Sequence, residues 1–141
     1  RRGFATAVVR FGNARLGVLS CHLSLDEDER YEQSGMLLDR LAGFGLDHVV
    51  AGGDLNDRPD GRSFRRLAEN LQDCWAVKPQ GAEHTWIRDA PHRRIDAIFA
   101  TKGIEVLGCG VPADLPGVTD TDLRAATDHL PVLATLRVPA A

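Results

Sequence analysis

The chain has 141 residues, room for about one domain at ~150 residues each, with 43% hydrophobic and 26% charged residues. That balance excludes a disordered chain, and a formal net charge of −3 excludes an overall basic field that would draw the chain to nucleic acid or an acidic membrane. No apolar run approaches the ~20 residues of a membrane helix, and Cys21, Cys74 and Cys109, odd in number and far apart, outline neither a disulfide framework nor a zinc knuckle. The expected setting is therefore reducing and cytoplasmic.

The chain opens Arg1-Arg2 with neither Met nor a secretory signal and runs directly into Phe4 to Phe11, a strand rich in Val and Phe. It reads as the middle of something longer. Gly12-Asn13 is a turn signal, and Leu16 to Leu23 is the second arm of a hairpin. Ser24 or Asp26 then caps a helix from about Glu27 to Leu41, with Glu27 or Glu29 closing a capping box. Ser34, Leu37, Leu38 and Leu41 carry its 3.6-residue spacing, and Gly43 and Gly45 end it.

His48 to Ala51 is nearly all apolar, as an interior strand is, and Gly52-Gly53 breaks it. Asp60 or Ser63 caps a second helix through Phe64, Leu67, Ala68 and Leu71. Short strands are predicted at Asp73 to Val77, His84 to Ile87, Arg94 to Ala100 and Ile104 to Leu107. Asp114 to Ala126 reads as a long polar loop, and Pro131 to Val138 as the last strand. The whole, residues 1–141, reads as a single mixed α/β unit in which hairpins dominate and the sheet is largely antiparallel.

Several polar residues stand where a scaffold could hold them at a pocket. Gly53-Asp54-Leu55-Asn56 follows the buried strand. Asp54 can orient or deprotonate a water, and the Asn56 amide can donate to a phosphate oxygen; an Asp-rich turn accounts for the same residues. Thr127-Asp128-His129 sets a carboxylate, a suitable ligand for a hard cation, beside an imidazole; a turn before Pro131 is the plainer reading. Asp96 lies inside an apolar strand, where a carboxylate needs a partner. That partner is either a histidine, as in triad logic, or Arg93 or Arg94. His22 ends a strand, and Trp86, in His84-Thr85-Trp86, either stacks on a substrate or packs in the core.

The order of these pieces resembles one family. His22, Gly53-Asp54-Leu55-Asn56, Arg94-Ile95-Asp96 and Thr127-Asp128-His129, with Thr85-Trp86 ahead of the third, look like the endonuclease/exonuclease/phosphatase superfamily, the deoxyribonuclease I-like fold. The resemblance implies an α/β two-sheet sandwich with outer helices, lacking its N-terminal part. It implies a metal-dependent hydrolase acting on phosphoester bonds with an activated water, and Mg²⁺ or Mn²⁺ as cofactor. Carried over residue by residue, His22 contacts the phosphate and assists the leaving group, Asp54 activates water, and Asn56 holds a phosphate oxygen. Asp128 binds the metal, and His129 acts at the scissile phosphate, held by Asp96. Trp86 is a candidate substrate-binding residue through its ring, beside the core-packing alternative. Leu55, Thr127 and Ala97 depart from common members without removing a reactive group.

Two features of the family have no counterpart here, an Asn and a metal-binding Glu of its first half. Glu27 and Glu29 do not replace that Glu, because capping already explains them. A catalytically inactive fragment that binds phosphate or a partner is therefore the alternative reading. The sheet face without its partner should expose an apolar patch, with self-association as one consequence. The substrate is a phosphoester, whether small molecule, lipid headgroup or nucleic acid; no basic helix or aromatic ladder marks a nucleic-acid track, so a small or generic phosphodiester is expected.

Overall fold

The computed structural model describes residues 2–87, 91–112 and 115–140. Strand β1 (Ala5–Phe11) turns through Gly12-Asn13 into β2 (Ala14–His22), pairing Phe11 with Ala14 and Ala5 with Ser20. Helix α1 (Glu27–Ala42) starts where the Asp26 carboxylate accepts the Glu29 N–H at 2.9 Å, and buries Ser34, Leu37 and Leu41 along one stripe. The chain continues through β3 (Val49–Asp54), α2 (Arg62–Asn70), β4 (Gln72–Asp73), α3 (Cys74–Val77), β5 (Asp96–Ala100), β6 (Glu105–Gly110), α4 (Asp120–Ala126) and β7 (Leu133–Arg137).

The strands form a five-stranded sheet in the order β1-β2-β3-β5-β4 and a two-stranded sheet of β6 and β7. Every named pair is antiparallel except β2 with β3. The apolar β3 is central, as its composition requires. The two-residue period of the central strands then divides their side chains between two cores. Leu19, Cys21, Val49, Ala51, Ala97 and Phe99 meet Leu37 and Leu41 of α1 and Phe64 and Leu67 of α2. Val50 and Ala100, with Val18 and Ile98, meet Cys74, Ile104, Val106 and Cys109. The molecule is a sandwich: outer helices, five-stranded sheet, second sheet. Phe64 stands edge-on to Phe99 with ring centroids 5.2 Å apart, a geometry aromatic pairs favour.

The second face is only partly covered. A groove of about 630 Å³ opens there between the sheet and the segment after α4, lined by Val18, Val50, Ile98, Leu123, Leu130 and Val132. Its lining is mainly apolar and also includes Asp96 and His129. All three thiols are free and buried; burial pushes Cys21 and Cys74 up to about 12 and Cys109 to about 11. Among the described residues no helix is long and apolar enough to cross a membrane.

Several local expectations are corrected. Gly52-Gly53 does not break β3; the strand runs through both to Asp54, paired on either side with β2 and β5. Neither Asp60 nor Ser63 caps α2. Gly61 is the N-cap, and the Asp57 carboxylate reaches over it to accept the Phe64 N–H at 3.0 Å. A Cβ on Gly61 would lie 1.9 Å from that carboxylate, so glycine makes the reach possible. Asp73 to Val77 is not one strand but the end of β4 followed by α3. His84 to Ile87 contributes only isolated bridges through Trp86. The polar stretch after Pro116 is not all loop: Thr119 and Asp122 form a reciprocal capping box that starts α4. Asp114, the proposed start of that loop, lies outside the described residues. Among the described residues only β1–β2 is a tight hairpin; β6 and β7 pair across a long connection.

Candidate active site

Strand register lines up the first polar residues. His22, the last residue of β2, stands beside Asp54, the last of β3, and Asp54 stands opposite Asp96, the first of β5. This junction is tightly stitched: Leu23 N–H donates to Asp54 O at 2.9 Å, and Leu55 N–H to Ile95 O at 2.8 Å. Gly53 has φ +145°, and a Cβ there would sit 1.9 Å from Cys21 O; only glycine lets β3 press this close to β2. Asn56 turns the chain away with φ +47°, a left-handed conformation that Asn tolerates.

Hydrogen bonds then aim the Asp54 carboxylate. Its Oδ1 accepts the Asn56 N–H at 2.9 Å. Its Oδ2 lies 3.3 Å from His22 Nε2 and 3.6 Å from His129 Nε2. The other ring nitrogen of His129, Nδ1, is 2.7 Å from Asp96 Oδ2. The alternative partner for Asp96, Arg94, is spent elsewhere: its guanidinium makes a bidentate pair with Asp73 at 3.0 and 2.6 Å. His22 is exposed and His129 is not, with side chains 57% and 23% accessible. Asn56 spends one amide proton on Leu23 O at 2.8 Å and retains a second.

The electrostatics follow from burial and pairing. Burial raises the pKa of Asp96, while hydrogen bonds involving His129 and Thr85 pull the other way and the Asp54 charge adds to the rise. For His129 burial acts downward, yet the bond to Asp96 and the charges of Asp96, Asp54 and Asp128 outweigh it, and the pKa is raised. Asp128 is lowered, first by the Trp86 indole N–H that donates to its Oδ2 at 3.3 Å. Its Oδ1 lies 3.8 Å from His129 Nε2.

Asp54, Asp96 and His129 each offer a ligand atom within 4.8 Å of the others. His129 Nδ1 is already committed to Asp96, so the open donors are His129 Nε2 and the carboxylate oxygens, with the exposed Asp128 3.8 Å from that Nε2. Carboxylate oxygens completed by water and phosphate suit a small hard dication such as Mg²⁺. Glu29 closes no capping box, since the Asp26 N–H donates to Ser24 Oγ at 3.1 Å; its carboxylate is engaged locally instead, accepting from Ser24 Oγ at 3.1 Å and Gln33 Nε2 at 3.3 Å.

A cavity of about 420 Å³ collects His22, Asp54, Asn56, Trp86 and His129 in one lining. Asp96 and Asp128 are outside that lining and meet it through His129, at 2.7 Å on Nδ1 and 3.8 Å on Nε2. The same lining includes Arg2, to which the sequence reading assigned no role, and Arg93, which it offered only as a partner for Asp96; Arg93 lies over the Trp86 ring, 5.3 Å from its centroid. Thr85, part of the resemblance but given no role in the site, is fully buried and hydrogen-bonded to the amides of Ile95 and Asp96. Its signal was faint: a hydroxyl beside a tryptophan, in a stretch with little regular structure.

Comparison with known proteins bears on family and fold. The Endonuclease/Exonuclease/phosphatase family matches residues 2–129. A protein described as an endonuclease/exonuclease/phosphatase from Bacteroides vulgatus superposes with a TM-score of 0.76 at 21% identity, covering 89% of this chain and 50% of its own. One of the same description from Beutenbergia cavernae gives 0.73 at 26% identity, covering 98% and 40%. A beta toxin mutant from Staphylococcus aureus with bound magnesium ions gives 0.71 at 21%, covering 94% and 57%. The chain thus spans about half the length of these structures. No curated protein matches it.

Proposed function

Since the chain belongs to the endonuclease/exonuclease/phosphatase family, we propose that it hydrolyses phosphoester bonds, with water as nucleophile and Mg²⁺ or Mn²⁺ as cofactor. The observation that carries this reading is one carboxylate oxygen, Asp54 Oδ2, which lies between two imidazoles at 3.3 and 3.6 Å. A carboxylate fixed by a backbone N–H on one oxygen and free to accept on the other is suited to orient a water and take its proton.

The remaining roles follow from position. His129, its Nδ1 bonded to Asp96, presents Nε2 to the cavity and donates to a phosphate oxygen as negative charge builds there. Asp96 fixes the ring's orientation and favours its charged form. His22, the more exposed imidazole, contacts the phosphate and passes a proton to the leaving group. The second amide proton of Asn56 holds a phosphate oxygen without adding charge. Asp128, with the Asp54 carboxylate nearby, would hold the cation, which when bound supplies charge neutralisation at the phosphate. The cavity and the modest negative net charge favour a small or generic phosphodiester over a nucleic-acid duplex.

The test is turnover of a chromogenic phosphodiester, bis-para-nitrophenyl phosphate, with Mg²⁺ or Mn²⁺ and then with EDTA. The expected result is metal-supported hydrolysis that EDTA abolishes and that Asp54→Asn lowers about a hundredfold or more. A folded chain that turns nothing over with either metal, yet binds phosphate, would establish the inactive alternative instead.

A further inference from the structure

We propose that Thr85 and Trp86 are positioning residues, which set from one dipeptide the two carboxylates flanking His129, namely Asp96 and Asp128. The proposal rests on the phosphoesterase reading of this site and replaces stacking on substrate as the main task of Trp86.

Thr85 is 0% exposed, and a buried hydroxyl persists where its bonds are made. Its Oγ1 accepts the N–H of Ile95 and the N–H of Asp96, each at 3.3 Å. These residues bracket the start of β5, so the hydroxyl sets where the strand begins and where Asp96 stands. The main chain of Thr85 ties the other half of the pair: its carbonyl accepts the N–H of Leu130, next to His129, at 2.8 Å, while its own N–H donates to Arg93 O at 2.8 Å. Both partners of the 2.7 Å Asp96–His129 contact are thereby referred to one residue.

Trp86 continues the same seam. Its carbonyl accepts the N–H groups of His92 and Arg93 at 3.0 Å each, and its backbone bridges to that of His129. Its indole N–H donates to Asp128 Oδ2 at 3.3 Å. Asp128 is otherwise restrained by the Thr127 hydroxyl, at 3.2 Å on Oδ1, and its side chain is 65% exposed. Held at Oδ2 by the indole and at Oδ1 by the hydroxyl, the carboxylate stands with Oδ1 3.8 Å from His129 Nε2. Outer partners of this kind orient the groups that hold a metal.

The variants Thr85→Val, Thr85→Ser and Trp86→Phe separate these bonds from bulk packing. Two readouts need no turnover: the downfield proton resonance of the His129 Nδ1–H bonded to Asp96, and the affinity for Mn²⁺ measured calorimetrically. Thr85→Ser should keep the resonance in place, and Thr85→Val should shift or broaden it. Trp86→Phe, which keeps an aromatic ring but loses the N–H, should leave the resonance and weaken Mn²⁺ binding by about tenfold or more. Should Thr85→Val not fold, Thr85→Cys takes its place, because a thiol is a weak acceptor of similar size. Lower thermal stability in Thr85→Val with an unmoved resonance, or full Mn²⁺ affinity in Trp86→Phe, overturns the proposal. A wild-type chain that binds no Mn²⁺ overturns the metal part of the function, and the resonance then decides the positioning role alone.

Discussion

At the scale of single residues, the Asp96–His129 contact of 2.7 Å governs both charge and stability. The folded protein binds the imidazolium proton more tightly than the unfolded chain, because His129 is raised despite burial acting against it. A raised histidine stabilises fully below its unfolded pKa of about 6.5, and that contribution is lost as pH rises through the folded value. Asp96, also raised by burial, acts in the same direction at lower pH. Unfolding free energy from denaturant titration should therefore fall as pH increases above about 6.5, and His129→Gln should flatten that decline. An undiminished slope in the variant would contradict the pairing. Asp96 was legible in sequence because a carboxylate within Ile95-Ala97-Ile98 demands a partner. The indole bond from Trp86 to Asp128 was not, because it joins residues 42 apart and no local pattern records such a meeting.

At the scale of elements, the end of β3 decides whether the site exists. Two glycines after an apolar run look like a terminator, yet they carry the strand onward in close contact with its neighbours. Gly53→Ala would place a Cβ 1.9 Å from Cys21 O in a residue with φ +145°. The expected loss is about 3 kcal/mol or more, read as a lower denaturation midpoint, with activity reduced through displacement of Asp54. Near-wild-type stability would mean that β2 and β3 can separate without cost. The helices show the same limit of local reading. α1 was legible from its Asp26 cap and leucine spacing. α2 was found, but its cap was misplaced, since Asp57 acts from four residues before Gly61. α4 was missed because its acidic capping box lies in a segment rich in turn formers.

At the scale of the whole molecule, the candidate site is a product of topology. His22, Asp54 and Asp96 come from the ends of three adjacent strands, while His129 arrives from beyond α4, held by Thr85. The alternation of apolar residues made the α/β layering legible, and four short motifs in order made the family legible. The parallel pairing of β2 with β3, and the seam through Thr85 and Trp86, follow from contacts between distant segments, which composition and periodicity do not encode. The proposed phosphoesterase function has Asp96 and His129 act as one catalytic unit. Its most direct test is kcat for phosphodiester hydrolysis in His129→Ala, Asp96→Asn and the double variant, each verified as folded. A unit loses its effect once, so His129→Ala should cost about 10²–10⁴-fold and the double variant no more than that. A wild-type rate in Asp96→Asn, or losses that multiply in the double variant, would contradict the account.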